Sequence, residues 1–233
     1  MIRNAVVLLS GGLDSTAALC WALPRYDEVR AFSVDYGQPN RDAELIAGRS
    51  AAEALGIPLA RVAIADALRP AKPGGILGGV TDAERTSGID RAFVPGRNLL
   101  LATVAVAHAC TWWEEEPFDL IIGACAEDQA GFPDCRPTTL GLLARALEVG
   151  CVRQLRIRAP WADRTKREIL YALAPDARAF DLVRRSWSCY RPKGPCGTCG
   201  ACVKRAAAFA DLGVEDLSAP PKLCGGDPVR EVR

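Results

Sequence analysis

Asn4-Ala5-Val6-Val7-Leu8-Leu9-Ser10-Gly11-Gly12-Leu13-Asp14-Ser15 is the stretch on which the fold turns. An unbroken apolar run of strand length meets a serine and two glycines. Helix-compatible residues then run from Ser15 to Leu23 until Pro24 stops them, which reads as strand, tight loop and helix. The same alternation repeats outward from there. Val29–Val34 reads as a strand, Asn40–Leu55 as a helix ended by Gly56-Ile57-Pro58, and Leu59–Ile64 as a third strand. A helix around Asn98–Trp113, a strand at Phe118–Ile122, a helix near Thr138–Val149 and a strand at Leu155–Ile157 follow. This βα order predicts the α/β class, a doubly wound parallel sheet whose ligands sit beyond the C-terminal strand ends.

Two segments break the rhythm. Arg69–Gly96 is rich in Gly, Pro and charge, and a loop of that length in a compact enzyme reads as a lid or a binding loop. Ser186–Cys202 replaces apolar periodicity with Cys, Gly, Pro and Arg, so a crosslink is needed to order it. The chain shows no internal repeat, low-complexity tract or heptad.

Composition narrows the function classes. With 233 residues and 24.9 kDa, two large independent domains are excluded, and 49% hydrophobic with 24% charged residues suffices for a packed core. Lys plus Arg number 29 against 28 Asp plus Glu, so no global positive field recommends bulk nucleic-acid or membrane-surface binding, and small substrates are favoured. The apolar run at the N-terminus is too short for a signal sequence or a membrane span, and the expected location is the cytoplasm. In a reducing compartment, ten cysteines beside one histidine point to metal or catalytic thiols rather than disulfides.

Ser10-Gly11-Gly12-Leu13-Asp14-Ser15 lies where the first strand becomes a helix. Glycines there let successive backbone N–H groups point into a concavity that suits an anion, with the helix dipole behind them. The hydroxyls of Ser10, Ser15 and Thr16 add donors, while Asp14 suits Mg²⁺ or the orientation of the loop. The Gly-Lys-Ser/Thr ending of a Walker A loop is missing, so lysine-assisted γ-phosphoryl transfer is not indicated. A plain βα turn with Asp14 or Ser15 as helix cap is the competing reading.

Cys189, Cys196, Cys199 and Cys202 are spaced so that four thiolates can converge on a tetrahedral ion about 2.3 Å from each sulfur, and structural zinc is the first choice. A 4Fe–4S cluster is the sharper rival, and isolated thiols or disulfides are the bland one. No acidic residue occurs from Leu182 to Ala210. Arg184, Arg185, Arg191, Lys193, Lys204 and Arg205 are expected to offset the charge of a four-cysteine site.

The loop resembles the pyrophosphatase loop of the N-type ATP pyrophosphatases. Further motifs are Val34-Asp35-Tyr36-Gly37-Gln38, Phe93-Val94-Pro95-Gly96-Arg97-Asn98, Asp128 to Pro137 and Ser188 to Cys202, and with these the chain resembles the 7-cyano-7-deazaguanine synthases of queuosine biosynthesis from about residue 5 to 212. That resemblance implies an adenine nucleotide alpha hydrolase-like fold, with an ATP pyrophosphatase domain over residues 1–180 and a zinc-binding region over residues 181–233 packed on the same core. It implies ATP-dependent conversion of 7-carboxy-7-deazaguanine and ammonia to the nitrile through an activated acid and an amide. Leu9, Ser10, Gly11, Gly12, Leu13, Asp14, Ser15, Thr16, Ala17, Ala18 and Leu19 would bind ATP, with Mg²⁺ as its counter-ion. Ser10, Asp14, Ser15 and Arg97 would act in catalysis. Tyr36, Gln38, Asp128, Phe132, Asp134 and Arg136 would meet the substrate, and the four cysteines would hold one zinc ion per chain. A homodimer is implied too.

Independently of the family, a flat purine-like ring asks for carboxylate acceptors and an aromatic face, which Asp128, Asp134 and Phe132 can provide. Arg97 and Arg136 suit an oxyanion. Competing readings make Asp134 a cap for the helix after Pro137, pair Arg97 with an acid such as Glu44, treat Cys135 as structural and His108 as packed or surface exposed, and place Lys166 beside a Thr165–Glu168 capping box, in solvent or, as a helix-start lysine, within reach of phosphate. The chain departs from the family pattern at Gly96, at Ala130-Gly131-Phe132 where Ser-Gly-Tyr is usual, and in the short spacer between Cys189 and Cys196. Rival functions are a homologue that stops at the amide or joins the acid to a protein amine, an RNA thiolation enzyme, and a zinc-ordered nucleic-acid module.

Overall fold

The apolar N-terminal run forms β1 (Asn4–Leu8), whose first four residues are buried because helices cover both faces of the strand. In this computed structural model, which describes residues 2–68, 75–78, 85–86 and 88–218, β1 leads through Gly11-Gly12 into α1 (Leu13–Ala22). Next come β2 (Glu28–Asp35), α2 (Arg41–Leu55) and β3 (Leu59–Ala63), each boundary within a residue or two of the expected one. The expected Arg69–Gly96 loop lies partly outside the described residues. Its described part includes a short antiparallel pair, β4 (Arg85–Thr86) and β5 (Ile89–Asp90). Then follow α3 (Arg97–Trp112), β6 (Phe118–Ile121), α4 (Pro137–Gly150), β7 (Leu155–Arg158), α5 (Lys166–Leu173), α6 (Ala177–Arg184) and α7 (Gly200–Leu212).

The main sheet runs β3-β2-β1-β6-β7 with every pair parallel. Its order reverses between β1 and β6, and in such sheets that is where the crevice for a ligand opens. Alternation along β1 divides the core. Ala5, Val7 and Leu9 join residues of α1, α5, α6 and α7 on one face, while Val6 joins α3 and α4 residues on the other. His108 packs its ring 4.9 Å from that of Phe32, as expected of a packed histidine.

Two close approaches shape the crevice. Gly11 has φ +82°, and a Cβ there would lie 2.3 Å from the Glu44 carbonyl oxygen. Gly123, just past β6, lies so near α1 that a Cβ would come 2.6 Å from Ser15 N. Toward the start of the strands the chemistry is structural. Asp119 is wholly buried, accepts two hydrogen bonds from Arg156 at 2.9 and 2.8 Å and one from the Tyr26 hydroxyl at 2.6 Å, and so meets the requirement that a buried charge be paired. Among the described residues no helix is long and apolar enough to cross a membrane.

Three helices were not anticipated in full. The Thr165–Glu168 capping box is present, with Glu168 N–H donating to Thr165 Oγ1 and Thr165 N–H to Glu168 Oε2, and it opens α5. α6 is amphipathic over only eight residues, too short for a clear periodic signal. α7 begins inside the Cys-rich stretch, with Cys199 as its N-cap.

Candidate active site and metal knuckle

A cavity of about 260 Å³ opens over the β1–β6 crevice. Leu9, Ser10, Gly12, Leu13, Asp14 and Ser15 stand on its wall. No side chain caps α1, so the capped-turn reading is not what the loop adopts. Ser15 Oγ instead donates to Gly12 O at 3.1 Å and shares a 3.1 Å bond with Ser10 Oγ. The first amides of α1 are therefore left without a side-chain partner, at the positive end of the helix dipole. Thr16 is buried just behind the loop with its hydroxyl unpartnered. Ala17, Ala18 and Leu19 are fully buried in the core, where the helical period carries them away from the cavity.

Lys166, read first as solvated and second as a helix-start lysine within reach of phosphate, is the main correction to the first of these readings. The capping box starts α5 beneath the loop, and Lys166, the first residue of α5, is buried with Nζ 2.6 Å from Asp14 Oδ2, 3.4 Å from Cys125 Sγ and 3.9 Å from Asp128 Oδ2. Burial opposes its charge, but Asp14 and Asp128 outweigh it and hold the ammonium well above the usual lysine range. Lys166 thus meets the loop residue Asp14 from 152 residues away in sequence. Lys204 Nζ reaches Asp128 Oδ1 at 3.4 Å and Glu127 O at 3.2 Å. Although burial works against it, Asp128 is held below the usual carboxylate range by the two lysines. Asp14, Cys125 and Asp128 place their donor atoms within 4.8 Å of one another, and Asp14 Oδ1 is buried without a partner.

On the other side of the cavity, the Arg97 guanidinium lies 5.8 Å from the ring centres of both Tyr36 and Phe132. Arg97 does not pair with Glu44 as one reading had it. Glu44 accepts from Gln38 Nε2 at 2.9 Å and Asn40 Nδ2 at 3.1 Å, and burial pushes its carboxyl up to about 7. Tyr36, Gln38, Asp128 and Phe132 all line the cavity, whereas Asp134 and Arg136 do not. Asp134 is buried and accepts the Asn98 N–H at 3.1 Å, so it secures the first turn of α3 rather than capping α4. Arg136 is exposed and donates to Gln129 O. Cys135 receives Asn98 Nδ2 at 3.2 Å, and burial raises its thiol to about 12, in keeping with a packed group.

The four cysteine sulfurs of the knuckle lie within 4.8 Å of one another, close enough to hold one metal ion. Backbone N–H groups of Arg191 and Cys196 point at Cys189 Sγ, that of Cys199 at Cys196 Sγ, and that of Cys202 at Cys199 Sγ, over 3.3 to 3.5 Å, which suits thiolate acceptors. The expected cationic shell is largely spent elsewhere. Arg205 binds Asp216, Ser186, Ser188 and two carbonyls, Lys204 binds Asp128, Arg185 binds Asp181, and Arg184 binds the Glu215 carbonyl. Each of these cations has an oxygen acceptor outside the cluster, and main-chain amides point at the sulfurs. The segment also closes the cavity through Trp187, Ser188, Tyr190, Ala201 and Lys204. It clips the phosphate loop as well, with Trp187 N–H donating to Gly11 O at 2.8 Å. Trp187 Nε1 and Asn40 Nδ2 both donate to the Cys189 carbonyl, at 2.8 and 2.9 Å.

Lys166, Glu44, Trp187 and Tyr190 were not marked as site residues in the sequence. The capping box before α5 was the one available signal for Lys166, since it fixes where that helix starts.

Comparison with known proteins identifies the family. Residues 4–213 match the family described as queuosine biosynthesis protein QueC. A 7-cyano-7-deazaguanine synthase from Laribacter hongkongensis is 37% identical over 225 residues, covering 92% of this chain and 93% of its own. Among solved structures, a U34-tRNA thiolase from Methanococcus maripaludis with its 4Fe–4S cluster is 17% identical at TM-score 0.48, covering 91% of this chain and 66% of that one. A 4-thiouridine synthetase in complex with RNA and bound ATP is likewise 17% identical at TM-score 0.47, over 91% of this chain and 51% of that one. At those scores the structures carry no argument, and the sequence matches decide the matter: the chain belongs to the QueC family of queuosine biosynthesis proteins.

Proposed function

We propose that the chain uses ATP to convert 7-carboxy-7-deazaguanine and ammonia into 7-cyano-7-deazaguanine, charging first the acid and then the amide with AMP. The observation that carries this reading is the buried Lys166–Asp14 pair set against the uncapped start of α1. It gathers a lysine, a carboxylate and free amides where pyrophosphate would leave, without the γ-phosphate lysine of a Walker loop. The family match and the name of the 37% identical relative support the same substrate.

ATP supplies the AMP that turns a poor leaving group into a good one. The amides of Leu13 to Ser15, with the Ser10 and Ser15 hydroxyls, hold the departing pyrophosphate, and Lys166 neutralises the charge that develops on it. Asp14, through its unpartnered Oδ1, and Asp128 are the residues that would hold Mg²⁺. Asp128 therefore belongs to the phosphate end of the cavity rather than to the edge of the ring. Tyr36 and Phe132 form walls for the flat deazaguanine, with Arg97 between them aimed at its carboxylate. Trp187 and Tyr190 shield the activated acid from water. Cys189, Cys196, Cys199 and Cys202 would hold zinc, which would crosslink the segment and serve structure.

The test is to incubate zinc-loaded protein with the acid, ATP, Mg²⁺ and ammonium and to weigh the products. The nitrile is expected. Amide without nitrile, or the acyl group on a protein amine, would replace the endpoint while keeping the activation step. A protein that absorbs near 400 nm would overturn zinc.

A further inference from the structure

Three acids stand on the cavity wall, and they are held differently. Asp14 is bound by Lys166 and Asp128 by Lys204 and Lys166, so both are committed to cations. Glu44 has no such partner within ion-pair distance among the described residues. Its two oxygens each accept one hydrogen bond from a neutral amide, those of Gln38 and Asn40. Gln38 is itself fixed, because its Oε1 accepts the Tyr36 N–H at 3.0 Å, and Asn40 is tied to the Cys189 carbonyl. Glu44 is thus a carboxylate held in one orientation on the cavity wall, with no ion-pair partner of its own among the described residues. The main chain of Glu44 also abuts Gly11, and Glu44 lines the same cavity as Ser10, Asp14 and Ser15. The charged or titratable groups facing it are Arg97 from α3, Asp35 from the end of β2 and Tyr36.

A carboxylate held by neutral donors inside an anion-binding cavity is a place for a small cation. Resting on the reading above, we propose that Glu44 receives ammonium and takes its proton as nitrogen attacks the charged carboxyl. One proton of ammonium passes to the Glu44 carboxylate, and the freed electron pair forms the C–N bond. The C–O bond to the AMP phosphate breaks with its electron pair, and that phosphate carries off the second proton, leaving the amide. Burial raises the Glu44 carboxyl to about 7, which matches a base that must accept a proton near neutrality and release it again.

The experiment compares wild type, Glu44→Gln and Glu44→Asp in three assays: acid-dependent ATP–pyrophosphate exchange, product formation with ammonium, and hydroxamate formation with hydroxylamine. Hydroxylamine is largely unprotonated at neutral pH and needs no base. Glu44→Gln should keep exchange within about threefold of wild type and keep hydroxamate formation, while ammonium-dependent product falls by about 10²-fold or more. Glu44→Asp, which retains a carboxylate one methylene shorter, should show the same selective loss to a smaller degree and guards against a Gln variant that fails to fold. A uniform fall in all three assays makes Glu44 a structural support and overturns the proposal. Unchanged use of ammonium overturns it too. Absence of exchange in wild type overturns the reading of the site itself, and the proposal with it.

Discussion

The phosphate loop and the cysteine knuckle solve the same problem, an irregular backbone held in one conformation, by opposite means. The loop is built from the main chain. Gly11 turns at φ +82° against α2, Gly12 starts α1, and the groups that complete the site come from Lys166, Asp128 and Trp187, far away in sequence. The knuckle is built from side chains close together in sequence, four sulfurs that converge with amides aimed at them. A loop of the first kind draws its rigidity from the fold around it, whereas a knuckle of the second kind draws it from the ion it holds. The two meet at the Trp187 N–H to Gly11 bond and at the Cys189 carbonyl, so the knuckle is a wall of the cavity as well as a candidate metal site.

The sharpest way to break the loop's side of this contrast is Lys166→Ala. It removes the cation and leaves Asp14 buried without its ion pair, so acid-dependent ATP–pyrophosphate exchange should fall by about 10²–10³-fold, and thermal unfolding should register a loss of about 3–5 kcal/mol. Exchange close to wild type would place the pyrophosphate site elsewhere. Gly11→Ala attacks the turn directly. Its Cβ would meet the Glu44 carbonyl oxygen at 2.3 Å, and titration with ATP should show about 10²-fold weaker binding as the loop is displaced, with about 1–3 kcal/mol of backbone strain.

Stripping the metal with a chelator acts on the other region. If the knuckle supports the loop through Trp187, metal-free protein should bind ATP about tenfold more weakly and its tryptophan fluorescence should change, with both restored by zinc. Equal affinity with and without metal would make the two regions independent. The smallest effect belongs to Thr165→Ala, which removes the cap of α5. Stability should drop by about 1 kcal/mol, and pyrophosphate exchange should fall less than with Lys166→Ala, because Lys166 is only loosened.

Legibility follows the same division. β1, β2, β3, β6 and β7 and helices α1 to α4 could be read because each is an apolar run or a periodic stretch bounded by Gly, Pro or a turn, which is local information. α7 could not, since Cys and Gly at its start look like loop until the ion and the Cys199 cap are considered together. The loop and the four cysteines stood out for the spacing of their residues. Lys166 was misread because a lysine at a helix start is ordinarily solvated, and the two carboxylates that enclose it come from elements the sequence does not place beside it. Asp134, Lys204 and Arg205 have partners that were hidden for the same reason. Asn98, Asp216 and Asp128 claim them only once the chain is folded.

Everything in the functional account depends on AMP being attached to a carboxyl group of the substrate. Single-turnover reaction of 7-carboxy-7-deazaguanine labelled with ¹⁸O in the carboxylate, in the presence of ATP, Mg²⁺ and ammonium, followed by mass analysis of the nucleotide, tests this most directly. One label should appear in AMP, because the C–O bond that breaks leaves its oxygen on phosphorus. Product formed with unlabelled AMP, or with ADP as the nucleotide product, would contradict it.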